Sequence, residues 1–200
     1  MATEQPMDYW FLNAILPSRR FPPADPWLSG YAISYYYSGY VLVAMLTKLS
    51  GLASAVTFNL AGATLFALTA QGAFILVNDM VEEHRRRSAA KEGRRDGVGL
   101  LWPGLIGAVL LCVMGNLEGV FELLRAHGLG SDALWRWLDI KNLRATPVSS
   151  KWYPDDVWWW WRASRVIHDR DLTGASVEVI DEVPFFSFLL GELHPHALAL

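Results

Sequence analysis

Hydrophobic positions in this chain run in long unbroken blocks. Residues 54–81 are apolar without a charge until Asp79, and a second block begins at residue 98 and extends to Leu124. Each reaches the roughly 20 residues that cross a hydrocarbon core, so the pattern predicts transmembrane helices over 54–81 and 98–124. Pro103, near the start of the second, is tolerated there, and Glu118 and Glu122 fall at or beyond the interface. Between the blocks, residues 82–97 are wet and carry Arg85, Arg86, Arg87, Lys91, Arg94 and Arg95. Basic residues in short loops stay on the cytoplasmic side. That sets 82–97 inside and places 1–53 and 125–182 on the outer face.

The flanking segments are mixed. In 1–53, the stretch from Asp8 to Leu16 is predicted as a short helix, with Asp8 near its positive end. Pro22, Pro23 and Pro26 then impose an extended path. Residues 31–50 are apolar and hold Tyr31, Tyr35, Tyr36, Tyr37 and Tyr40. A ring with a polar tip prefers headgroup depth, so this segment is expected to lie in the interface as a juxtamembrane helix. Were it to span instead, the first 30 residues would lie inside. The external segment 125–182 is crowded with Trp152, Trp158, Trp159, Trp160 and Trp161, which suits an interface or a lipid tail. From 183 the chain is apolar again, and 183–200 is expected to be the start of a further, truncated transmembrane helix. On this pattern the chain is a fragment of a larger all-α, polytopic protein of the cell (plasma) membrane.

Composition agrees. Hydrophobic residues make up 52% and charged residues only 18%, against about a quarter charged in an average soluble domain. A net charge of −3 lacks the basic footprint of nucleic-acid binding. The single cysteine, Cys112, lies in an apolar run and forms no internal disulfide.

Three groups of residues could carry chemistry. Glu4, Asp8 and Asp25 stand in the first external segment. A carboxylate at a membrane surface can act as general base toward a hydroxyl or hold a divalent cation beside a phosphate. From spacing alone, helix-start and turn roles explain them better. His194 and His196 flank Pro195 with Glu192 nearby, too few ligands for a zinc site, and interfacial histidines before a helix explain them better. Arg162 and Arg165 follow the tryptophans. They suit a lipid phosphate and snorkelling anchors equally well. No phosphate loop, dinucleotide fingerprint or nucleophile elbow is present.

The segments Phe21-Pro-Pro-Ala-Asp-Pro-Trp-Leu-Ser-Gly, Ile33-Ser-Tyr-Tyr-Tyr-Ser-Gly-Tyr and Phe185-Phe-Ser-Phe-Leu-Leu-Gly-Glu-Leu-His-Pro-His, with Trp159-Trp-Trp-Arg-Ala-Ser-Arg-Val-Ile, resemble an uncharacterised membrane protein family. That family is named for its YYY motif and known from chloroflexal and archaeal genomes. Its layout is in turn similar to C-type (GT-C) glycosyltransferases, which take sugar from a polyprenyl-phosphate lipid. The resemblance implies Asp8 as base, with Asp25 or Glu4 assisting, with or without a divalent cation. It implies that Tyr35, Tyr36, Tyr37, Arg162, Arg165, His194 and His196 hold the lipid phosphate. The pair of adjacent carboxylates often seen in such enzymes is absent, Asp8 being followed by Tyr9. A different class of function is a non-catalytic scaffold or assembly subunit whose aromatic belts dock lipid or partner helices. A transporter is the weakest reading, since the two expected spans hold almost no ionisable groups.

Overall fold

The computed structural model describes residues 4–93, 99–156 and 159–199. Arg94, Arg95 and Trp158, named above, lie outside the described residues. The chain divides into two compact units, Met1–Val113 with Ser187–Leu200, and Met114–Phe186.

In the first unit, helix α1 spans Gln5–Ile15 and α2 spans Ser38–Ser50. Pro6 suits the first turn of α1, where its missing N–H would have no partner. Gly51, at φ 68°, ends α2 in the left-handed conformation that glycine adopts without a Cβ penalty. Each helix buries one stripe at i, i+3, i+4 and i+7: Asp8, Phe11, Leu12 and Ile15 on α1, and Tyr40, Val43, Ala44 and Thr47 on α2. Together with Ile33, Phe58 and Leu193, their apolar members form the core of this unit.

Helix α3 spans Ser54–Lys91. It is the one helix among the described residues that is long and apolar enough by itself to cross a membrane. Its 38 residues make it about 57 Å long, nearly twice the roughly 30 Å hydrocarbon thickness. The basic segment expected to open a loop at 82 therefore begins as helix. Glu82–Arg85 (2.7 Å) and Glu83–Arg87 (2.6 Å) pairs on its surface favour that continuation. Helix α2, at 13 residues, is shorter than a membrane crossing needs.

The helix expected over 98–124 is interrupted. Helix α4 covers Trp102–Val109, a π-helical turn follows over Leu110–Met114, and α5 starts only at Glu118. Gly115 (φ 53°) and Leu117 (φ 65°) are left-handed, a conformation that cannot continue a right-handed helix. Residues 183–200 likewise form two short helices, α7 (Pro184–Leu190) and α8 (Pro195–Leu198). Gly191, at φ 67°, terminates the first. Pro195, which restricts His194 to an extended backbone, starts the second.

The second unit holds α5 (Glu118–Ala126), α6 (Asp132–Leu138) and 3₁₀ turns at Leu143–Ala145 and Trp159–Ser164. Trp135, Ile140 and Leu143 form its core. It also carries an antiparallel hairpin, β1 (His168–Arg170) against β2 (Ser176–Glu178), with His168 opposite Glu178. The structure is thus mostly helical, and this hairpin amends the all-α expectation.

Helices α3 and α4 approach closely at two glycines. A Cβ on Gly104 would lie 2.7 Å from the Phe74 carbonyl oxygen, and one on Gly107 would lie 2.6 Å from Val77 Cγ2. Small residues let membrane helices pack backbone to backbone in this way. Gly104→Val should lower unfolding stability in detergent by about 1–3 kcal/mol through overpacking. Gly62→Ala, which meets no neighbouring atom, should be neutral or slightly stabilising.

Candidate functional site

The polar residue at the head of each buried stripe explains how α1 and α2 meet. Asp8 is completely enclosed, and a carboxylate taken out of water needs partners for both oxygens. The Tyr40 hydroxyl donates to Oδ1 at 2.6 Å, and the Leu193 backbone N–H donates to Oδ2 at 2.8 Å. A second carboxylate works in the opposite direction. Glu192, also buried, accepts the backbone N–H of Glu4 at 2.6 Å, placing negative charge at the positive end of α1. Gln5 adds a side-chain hydrogen bond to the Leu190 carbonyl at 2.6 Å.

These bonds gather Glu4, Asp8, Tyr40, Ser187, Glu192, His194 and His196 into one cluster. His194 is buried at its centre, with Nε2 at 3.1 Å from Glu4 Oε2 and 3.2 Å from Glu192 Oε2. Its Nδ1 lies 2.8 Å from Ser187 Oγ, which is also 3.0 Å from His196 Nε2. The two imidazoles stack at 5.4 Å. The assignment that satisfies every contact has His194 donating from Nε2 to the carboxylates and accepting from the Ser187 hydroxyl, which accepts from His196. Among these groups the Glu4 side chain stands open, 51% exposed, while His194 is 3% exposed.

Burial pushes the Asp8 carboxyl above its ordinary value. The hydrogen bonds from Tyr40 and Leu193 act against that rise without cancelling it. Glu192 is raised for the same reason, loss of water. Tyr40 is raised as well, by burial and then by the Asp8 charge, so it stays a hydrogen-bond donor.

Of the residues singled out in the sequence, Glu4, Asp8, His194 and His196 come together here. Asp25 does not. Its Oδ1 accepts the Trp27 and Leu28 N–H groups, each at 2.8 Å, and shapes a turn. Tyr35 stacks on Phe11 at 5.5 Å and Tyr37 on Phe21 at 6.5 Å, while Tyr36 is exposed. In the second unit, Arg162 forms an ion pair with the enclosed Glu122 and another with Asp156 at 2.7 Å. Arg165 pairs with Glu178 at 2.7 Å and lies over the Trp161 ring. Both arginines therefore already face carboxylates of their own unit.

Ser187 was not singled out in the sequence, Tyr40 was named only among the interfacial tyrosines, and Glu192 only as lying near the histidine pair. Each falls inside a segment quoted above for its resemblance, and Tyr40 heads a stripe at 40, 43, 44 and 47. A polar residue at the head of an apolar stripe is the signal that could have found it.

Raised values for Asp8 and Glu192 mean that the folded chain holds their protons more tightly than the unfolded chain. The stability they contribute is complete below the ordinary carboxylate pKa of about 4 and is lost as pH rises through the folded values. The contribution of these two groups should therefore fall as pH rises above about 4. Asp8→Asn, which keeps an acceptor oxygen and has no proton to lose, should flatten part of that fall in thermal unfolding. Parallel pH profiles for the two proteins would contradict the burial assigned to Asp8.

No curated protein and no solved structure matches the chain. One family does, described as an uncharacterized membrane protein (DUF2298), and the match runs over residues 1–200. An enclosed carboxylate cluster beside a long apolar helix is thus set in a membrane protein, and the chain belongs to the DUF2298 family of uncharacterised membrane proteins.

Proposed function

We propose that this protein transfers a sugar from a polyprenyl-phosphate donor at the outer face of the cell membrane, using the cluster around His194. The observation that carries this is the graded exposure of the cluster. Asp8, Glu192 and His194 are closed off, and among the described residues of this unit's cluster Glu4 presents an exposed carboxylate at the opening. General-base chemistry needs a carboxylate within hydrogen-bond reach of a hydroxyl, held by groups behind it. Glu4 is open to an incoming hydroxyl and is held from behind by His194, and Asp8, with both oxygens taken, is the positioning residue.

In the proposed step Glu4 takes the proton of an acceptor hydroxyl. The acceptor oxygen forms a bond to the sugar's anomeric carbon as the bond from that carbon to the phosphate oxygen breaks. The bonding pair leaves with the polyprenyl phosphate. His194 holds Glu4 by its Nε2. We assign no role to Asp25, whose carboxylate belongs to a turn. The outer location rests on the basic residues Arg85, Arg86 and Arg87 at the far end of α3, which we place in the cytoplasm. On this topology the protein crosses the membrane more than once, and α2 lies along the interface.

Glu4→Gln in a full-length family member supplied with polyprenyl-phosphate sugar should lower kcat by about a hundredfold. KM and membrane insertion should change little. Unchanged transfer, with assembly lost on substitution of Trp159 to Trp161, would favour the non-catalytic scaffold instead.

A further inference from the structure

The loop between α1 and α2 carries a basic concavity that the proposed chemistry does not use. Ser18, Arg19, Arg20, Pro22, Tyr31 and Ala32 line about 540 Å³ of space. Neither the Arg19 nor the Arg20 side chain has a hydrogen-bond or ion-pair partner among the described residues. Both are exposed and adjacent in sequence, so their like charges repel unless an anion lies between them. The one carboxylate in the loop, Asp25, is directed into its own turn.

The loop is a shaped wall. Residues 24 and 32 form an antiparallel bridge, Ile33 donates to the Pro23 carbonyl at 2.9 Å, and Asp25 donates to the Tyr31 carbonyl at 2.9 Å. The concavity therefore keeps its form, and an anion entering it meets two planar donor forks.

Its depth follows from what holds it. Ser54, the first residue of the apolar helix α3, donates to Asn13 Oδ1 at 2.8 Å and lies 3.1 Å from the Tyr9 hydroxyl. This ties α1 to the end of the span. The loop lies on α1 through the Phe11–Trp27 and Trp10–Trp27 ring contacts, at 5.9 and 4.7 Å. Its outward residues include Phe21, Trp27, Leu28 and Tyr31, all more than half exposed. Large apolar side chains around paired cations, at the mouth of a span, match a headgroup layer over acyl chains.

We propose that Arg19 and Arg20 form a binding site for the phosphate of an anionic bilayer glycerophospholipid, with Phe21, Trp27 and Leu28 set among its acyl chains. The site shares no hydrogen bond with the Asp8 cluster among the described residues and does not depend on the glycosyl-transfer proposal.

The test places photoreactive benzoylphenylalanine at position 31, on the wall of the concavity, in the full chain. The protein is held in nanodiscs of equal parts phosphatidylglycerol and phosphatidylcholine, and adducts are identified by mass. Phosphatidylglycerol adducts should exceed phosphatidylcholine adducts by about tenfold. Arg19→Gln with Arg20→Gln should bring the ratio near one, and Arg19→Lys with Arg20→Lys should keep part of the preference. Equal adduct yields in the unsubstituted protein, or no lipid adducts, would overturn the proposal. So would loss of the preference on adding millimolar inorganic phosphate, which would mark a site for small free anions.

Discussion

Asp8 cannot remain enclosed unless two distant parts of the chain come to it. Its hydrogen-bond partners stand 32 and 185 residues away. An unsatisfied buried polar group costs about 1–3 kcal/mol, more when charged. The carboxylate therefore selects one arrangement of α1, α2 and the turn after α7 over looser apolar packings of the same helices. Glu192 makes the same demand from the other side, its partner Glu4 lying 188 residues away. Long loops must close before either bond forms, so the two reinforce one another.

The chemistry of the cluster follows from that closure. His194 reaches Glu4 and Glu192 only because the turn at 191–194 is held against the start of α1. Ser187 then sets which nitrogen of His194 faces the carboxylates. Loss of water raises both Asp8 and Glu192, and both stand behind an exposed carboxylate, Glu4. The second unit uses a buried ion pair of its own, Arg162 with Glu122. Removing one partner of such a pair leaves an uncompensated charge, which explains why Arg162 is held in place.

Part of this was legible in the sequence. The apolar block from 54 marks α3 because its length alone fits a bilayer. Its far end was not legible, since Glu82–Arg85 and Glu83–Arg87 pairing carries helix into a stretch whose charge reads as loop. The break before α5 was half visible. Gly115 is an ordinary helix terminator, whereas Leu117 at φ 65° has no marker in its residue type. Glu4, Asp8, His194 and His196 were each noticed, and their meeting was not derivable from spacing. Two ends of a chain pair through tertiary contacts that no local pattern encodes. Asp25, Arg162 and Arg165 were noticed too, and each has local carboxylate or backbone partners that residue type alone does not mark.

The claim that Asp8 organises this unit is tested most directly by a double-mutant cycle. Unfolding would be followed for the native protein, Asp8→Ala, Tyr40→Phe and the double variant under one set of detergent conditions. A bond between enclosed groups predicts a coupling energy of about 0.5–3 kcal/mol. Additive effects of the two substitutions would contradict it, and with it the arrangement that places Glu4 before His194.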